Sequence, residues 1–205
     1  ERATLIQVDD QARVTAEVRV SRLNADLTAH ADIPKAAAEA LLANRGLASN
    51  GFNVVGRGFV LEADEAQRLL DYDPRHAEII RPHLNGRDLA AKPRGVWIID
   101  FGQRGEEEAR AYPVLFDLVR TRVKPQRDAN SDRAARERWW RFARNREEFR
   151  QASHGLSRYI ATPYVSRHRF FTFLDAAVAP DDTLRVIASP DAFHLGVLSS
   201  RIHVT

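Results

Sequence analysis

The 205-residue sequence predicts an α+β fold of mixed, mainly antiparallel sheets with packed helices. Three observations predict it: short runs that alternate apolar and polar residues with period two, other runs with helical spacing, and an irregular interleaving of the two. A doubly wound parallel sheet would instead show strict strand-helix alternation. At 44% hydrophobic and 29% charged residues the composition is that of a folded globular chain. A chain of this length can bury about 70% of its unfolded surface.

The opening runs, 4–9 and 12–21, alternate apolar and polar residues, with Val14, Ala16, Val18 and Val20 on one face and Asp9-Asp10 between the runs. That is a hairpin pattern. Next come a polar loop (Asn24, Ala25, Asp26) and, after Pro34, an alanine-rich segment over 35–43 that suits a short helix or an irregular excursion. Residues 53–61 read as a strand relaxed at its centre by Gly56 and Gly58. The acidic run 62–65 then starts a helix to about Leu70, because carboxylates favour the positive end of the helix dipole. Asp73-Pro74 starts a short helix over 75–80, and 94–101 reads as a buried strand ending at Gly102.

Helical spacing resumes over 106–122 through Ala109, Tyr112, Leu115, Leu118 and Val119, with Pro113 as a kink or boundary. Further helices are predicted over 131–144, carrying Trp139, Trp140 and Phe142, and over 146–152 up to Gly155. Three strand-like runs follow, 158–162, 166–174 and 183–188, and Ser189-Pro190 opens a last helix over 192–204. The chain is expected to divide into a β-rich part over 1–60 and an α/β main part over 61–205. It starts at Glu1 and has no methionine, and reads as a piece of a longer protein.

The net charge of +3 conceals an uneven distribution. Residues 120–169 hold 14 Lys and Arg against 5 Asp and Glu, whereas residues 1–119 hold 15 against 19. Such a concentration suits a surface that faces phosphates, although an arginine-rich pair of solvated helices would give the same count. Lys124, Arg127, Arg138 and Arg141 are the expected phosphate contacts, sequence-blind and salt-sensitive. The stretch Arg158-Tyr159-Ile160-Ala161-Thr162-Pro163-Tyr164-Val165-Ser166-Arg167-His168-Arg169 mixes guanidinium, hydroxyl, imidazole and aromatic groups on strand-like backbone. Arg158, Tyr159, Thr162, Tyr164, Ser166, Arg167, His168 and Arg169 are therefore the candidates nearest the bases. Arginine can hold guanine by two hydrogen bonds, and hydroxyls serve base edges or phosphates.

Other chemistries find little support. There is no cysteine, which excludes thiolate metal sites, disulfides and a cysteine nucleophile. The seven histidines are scattered, without metal-ligand spacing. No Gly-x-Ser-x-Gly elbow occurs, and Gly56-Arg57-Gly58 lacks the third glycine of a dinucleotide fingerprint, so a bulge or a close backbone approach is expected there instead. No apolar run reaches the ~18 residues of a membrane span, and no export signal opens the chain, so a cytoplasmic setting is expected.

Several ordered segments carry a family resemblance. They are Arg81-Pro82-His83-Leu84-Asn85-Gly86-Arg87-Asp88-Leu89, Pro93-Arg94-Gly95-Val96-Trp97-Ile98-Ile99-Asp100-Phe101-Gly102, Val123-Lys124-Pro125 with Arg127, Arg138-Trp139-Trp140, Arg158 to Pro163, and Gly196 to His203. Together they resemble the target recognition domain of MmeI-like (type IIL/IIG) restriction-modification DNA methyltransferases, over nearly the whole chain from about residue 22. The resemblance implies a module that reads double-stranded DNA beside a catalytic domain of the same polypeptide. That domain would methylate adenine with S-adenosylmethionine, in a phage-defence enzyme that can also carry a nuclease. The Asn-Pro-Pro-aromatic motif of the methyltransferase is absent from this sequence, which puts catalysis and cofactor outside it. The family's Phe-Gln-Gly segment is replaced by Ala48-Ser49-Asn50-Gly51-Phe52. The alternative is a protein-interaction module of a defence assembly that reads no sequence.

Overall fold

The computed structural model describes residues 3–20 and 46–200. The polar loop at 24–26, the alanine-rich segment 35–43 and residues 201–204 of the last predicted helix lie outside the described residues. The chain divides into two compact units, Glu1–Arg45 and Gly46–Thr205. Residues 46–60, grouped by the sequence with the N-terminal part, supply strands to the sheets of the second unit.

In the first unit β1 (Ala3–Val8) and β2 (Val14–Val20) form the predicted antiparallel hairpin, with Ile6 opposite Glu17 and a register shift between Gln7 and Val8. The Asp9 carboxylate closes the turn by accepting the N–H groups of Gln11 and Arg13, both at 2.9 Å. An Asx turn of this kind explains why aspartate stands between the two runs.

The second unit begins with β3 (Ala48–Asn50), β4 (Val60–Leu61), α1 (Ala63–Tyr72), β5 (Ile80–Leu84), α2 (Gly86–Ala90) and β6 (Trp97–Ile99). Five helices follow: α3 (Glu106–Arg110), α4 (Pro113–Arg122), α5 (Lys124–Asp128), α6 (Arg133–Glu137) and α7 (Glu147–Ala152). The described chain then runs through β7 (Arg158–Pro163), β8 (Thr172–Asp175), β9 (Ala179–Pro180), β10 (Leu184–Ile187) and α8 (Ala192–Leu198).

The strands build two sheets, one ordered β3-β10-β7-β8 and antiparallel throughout, the other ordered β4-β6-β5-β9 with its last pair parallel. The run from β8 through β9 to β10 passes from the first sheet to the second and back. Gly51 sits where this crossing is tightest: a Cβ there would lie 2.1 Å from the Asp181 carbonyl oxygen.

Packing follows the apolar periodicities. Phe59, Leu61, Ile79, Ile98, Ile99, Leu115 and Val119 are fully buried. A continuous run of ring contacts, Phe59 to Phe142 to Phe52 to Phe149 to Tyr159, spaced 5.3–5.9 Å between centroids, stitches the second sheet to the first. Such pairs add about 0.5–1.5 kcal/mol each beyond burial. No helix among the described residues is long and apolar enough to cross a membrane.

Several predicted boundaries move, each for a local reason. The strand expected over 53–61 is interrupted by positive φ at Val55 and Gly56 and a 3-10 turn over Arg57–Phe59, leaving only β4. Gly58 answers to close approach, since its missing Cβ would meet Arg122 Cβ and carbonyl oxygen at 2.8 Å. The helix expected over 131–144 stops at Glu137. Trp139, Trp140 and Phe142 are all buried, and neighbours 100° apart on one helix cannot all face one core. Pro113 does divide α3 from α4, and the last helix is capped by Asp191 rather than Ser189. Residues 164–171, most of the second predicted strand of the 158–188 region, are a loop. β5 and α2 were not foreseen.

Candidate nucleic-acid interface

Two of the family-signature segments, 81–89 and 93–102, are scaffold. Asp100, buried at the end of β6, accepts two hydrogen bonds from Arg150 at 2.7 and 3.0 Å, one from Arg81 at 3.2 Å and one from the Gly102 N–H at 2.9 Å. Burial pushes its carboxyl pKa up, but the two guanidinium groups outweigh burial and hold it below the usual carboxylate value. Arg81 also donates to the carbonyls of Ala176, Ala177 and Val178, so one carboxylate joins β5, β6, α7 and the β8–β9 turn. Asn85 and Asp88 form a capping box at α2, and Arg94 grips the Asp88 carboxylate at 2.6–3.0 Å. Burial raises Asp88, but Arg94 and the Asn85 and Arg94 backbone N–H groups bring its pKa down to about 2.

The basic stretch divides in the same way. Arg127 is 2% exposed. Its Nη2 donates to the Val54 carbonyl at 2.9 Å and more weakly to that of Arg141, its Nε is buried without a partner, and burial depresses its pKa. It bolts α5 to the broken strand after β3 and is no phosphate contact. Arg141 directs its guanidinium to the carbonyls of Gln103 and Arg104, leaving little for an external anion. Lys124 is paired with Asp128 at 2.7 Å on the exposed side of α5. Arg138 is exposed and makes no ion pair among the described residues, so of the four expected phosphate contacts it is the one most available. Arg144, also exposed, likewise makes no ion pair among the described residues.

The expected base-reading stretch is likewise split between buried and exposed residues. Tyr159 is 1% exposed, with its hydroxyl donating to the Val178 carbonyl at 3.1 Å, and Thr162 is buried in the central strand β7. Tyr159 thus ties β7 to the β8–β9 turn, whereas Thr162, although buried, lies on the opposite face of the strand. Arg158 donates to the Pro190 carbonyl and lies 3.7 Å over the Phe173 ring, a surface stack beside α8. Tyr164, Ser166, Arg167, His168 and Arg169 are all exposed on the β7–β8 loop. Ser166 Oγ donates to the His168 carbonyl at 2.7 Å, which fixes the loop's bend. Among the described residues, the guanidinium groups of Arg167 and Arg169 and the ring of His168 have no hydrogen bond or ion pair.

Strand alternation decides what stands beside this loop. Arg158, Ile160, Thr162 and Tyr164 share one face of the sheet, while Tyr159 and Ala161 point into the main core. Arg185 of β10 lies opposite both Thr162 and Asn50, hence on the same face as Tyr164, and its guanidinium carbon sits 3.8 Å over the Tyr164 ring. Thr162, Pro163, Tyr164, Ser166, Arg169, Phe171 and Arg185 line one open groove. Sequence reasoning missed Arg185, although its place as the polar residue between Leu184 and Val186 marked it as outward-facing.

Gly58 is packed against Arg122 and Val123, the close backbone approach expected of the Gly56-Arg57-Gly58 segment. Among the described residues no three of His, Asp and Glu come together as metal ligands.

Comparison with known proteins bears on the fold and the family. No curated protein matches by sequence. Among solved structures, the fold is similar to that of the type IIL restriction-modification enzyme MmeI in complex with DNA. The TM-score is 0.59 and the identity 16%, over 90% of this chain and 25% of that one. This chain thus spans about a quarter of the length of that enzyme. The model of the MmeI target recognition domain matches residues 36–205, more than four fifths of the sequence, and the chain belongs to that family.

Proposed function

We propose that this domain binds double-stranded DNA and reads its sequence, as the specificity module of a restriction-modification enzyme. The observation that carries the reading is the β7–β8 loop, where unpaired Arg167, His168 and Arg169 stand beside Tyr164 and Arg185 on a sheet whose core side is fully packed. A rigid strand pair that carries an exposed, uncompensated cationic loop suits a DNA groove. The sheet sets register, and the loop supplies donors that phosphates and base edges can accept. Arg138 and Arg144 add positive charge without acid partners. Family membership supports the same reading, and so does the fold shared with a DNA-bound enzyme.

In this reading the catalytic partner is a methyltransferase domain of the same polypeptide that methylates adenine with S-adenosylmethionine, in the cytoplasm and in defence against phage. The recognition domain holds the duplex while the target base is flipped elsewhere. In this reading the cofactor chemistry belongs to that catalytic domain.

Fluorescence anisotropy with labelled random-sequence duplex tests the binding, at salt of about 50 and about 200 mM. Binding at the lower salt that weakens steeply at the higher is expected. No binding at low salt would refute the proposal and favour a module that binds protein instead.

A further inference from the structure

We propose that Arg185 is a specificity-determining residue that reads a guanine, held for that task by the ring of Tyr164. The inference rests on the DNA-binding reading above and adds to it a residue and a base. Four observations converge. Arg185 is on β10, an interior strand between β3 and β7, so its backbone is fixed on both sides in a way a loop residue's is not. Its guanidinium lies flat enough on Tyr164 to bring its carbon within 3.8 Å of the ring centroid, which restricts the side chain's rotation. Among the described residues no hydrogen bond or ion pair occupies its N–H donors. Finally, it lines the groove that Ser166 and Arg169 also line, and that groove is open to solvent.

A pre-positioned, planar fork of donors matches the O6 and N7 acceptors of guanine in the major groove. Phosphate is the competing ligand. Asp182, three residues before Arg185, adds a negative charge on that side of β10, which disfavours a phosphate more than a neutral base edge. Arg169, Arg167 and His168 on the flanking loop are better placed for the phosphates. Tyr164 is thus a positioning residue, 63% exposed and acting through its ring face.

The test selects duplexes from a randomised pool with the 205-residue chain and with Arg185→Ala, Arg185→Lys and Tyr164→Leu. The wild type should enrich a consensus containing guanine, and Arg185→Ala should lose the preference at one such position. Affinity for the consensus should fall about tenfold or more, with affinity for random duplex changed less than about threefold. Arg185→Lys keeps the charge and guards against misfolding, and it should weaken the preference at that position, because an ammonium has neither the planar fork nor the face that stacks on Tyr164. Tyr164→Leu should weaken it in part. Replacing that guanine by 7-deazaguanine should weaken the wild type and leave Arg185→Ala unaffected. An unchanged consensus in Arg185→Ala overturns the inference, as does an equal loss on consensus and random duplex with a shallower salt dependence, the mark of a phosphate contact. Wild-type binding without any consensus also overturns it while sparing DNA binding. No wild-type binding at all removes the underlying reading instead.

Discussion

Replacing Asp100 by asparagine keeps its shape and removes the one negative charge that two part-buried arginines share. Its side chain is 2% exposed, and those of Arg150 and Arg81 are 18% and 24% exposed, so neither cation can be rehydrated without moving α7 or the β8–β9 turn. Removing one member of a buried pair leaves the other uncompensated and costs about 3–5 kcal/mol. Against a typical stability of about 5–15 kcal/mol this is a large fraction. At about 2–4 °C per kcal/mol for a domain of this size, Tm should fall by about 6–20 °C. Urea unfolding followed by tryptophan fluorescence measures it directly, since Trp97, Trp139 and Trp140 all lie in the second unit. The internal control is Glu106→Gln, which breaks the exposed 2.6 Å pair with Arg110 on α3 and should cost less than about 0.5 kcal/mol. An Asp100→Asn variant within about 1 kcal/mol of wild type, with an unchanged m value, would refute the view that this carboxylate holds the elements together.

Glycine substitutions should separate by position. Gly58→Ala drives a Cβ against Arg122 and Val123 and should cost about 1–3 kcal/mol, whereas Gly196→Ala, in open space within α8, should stabilise by up to about 1 kcal/mol, both read from urea midpoints. Stability should also depend on pH through Asp88. Its folded pKa of about 2 lies below its unfolded value, so its contribution is complete above that value and disappears as pH falls through the folded pKa. Allowing for the 42% exposure of the Arg94 side chain, the amount is about 1–2 kcal/mol. Urea midpoints from about pH 6 down to about pH 2 should show this loss, and Asp88→Asn should flatten it. Arg138→Ala should leave the urea midpoint within about 0.5 kcal/mol and reduce the slope of log affinity for duplex DNA against log salt by about one. An unchanged slope would remove Arg138 from the interface.

What could be read in advance followed the range of the interaction involved. The hairpin, α1, the Pro113 boundary and β10 rest on local rules, alternation, a first-turn carboxylate and a ring without an N–H, and they lie near where the sequence placed them. The strand expected over 53–61 failed because Val55 and Gly56 turn the backbone to present the Val54 carbonyl to Arg127, a partner 73 residues away. The helix over 131–144 failed because three nearby aromatics needed one side. The site shows the same limit. Counting charge located the basic stretch, but Arg127 and Arg138, eleven residues apart and alike on paper, fall on opposite sides of the surface. Only β7's alternation, combined with its pairing to β10, separates Tyr159 from Tyr164 and brings in Arg185.

The β7–β8 loop leaves Pro163 in a central strand and returns at Thr172 in an edge strand, and both ends are tied to backbone that belongs to the sheet. Exchanging the eight residues between these moorings therefore perturbs neither the ring ladder nor the Asp100 cluster. A lineage, or an engineer, can rewrite what the loop contacts while the fold's own stability is left untaxed, and new preferences can accumulate faster than the scaffold diverges.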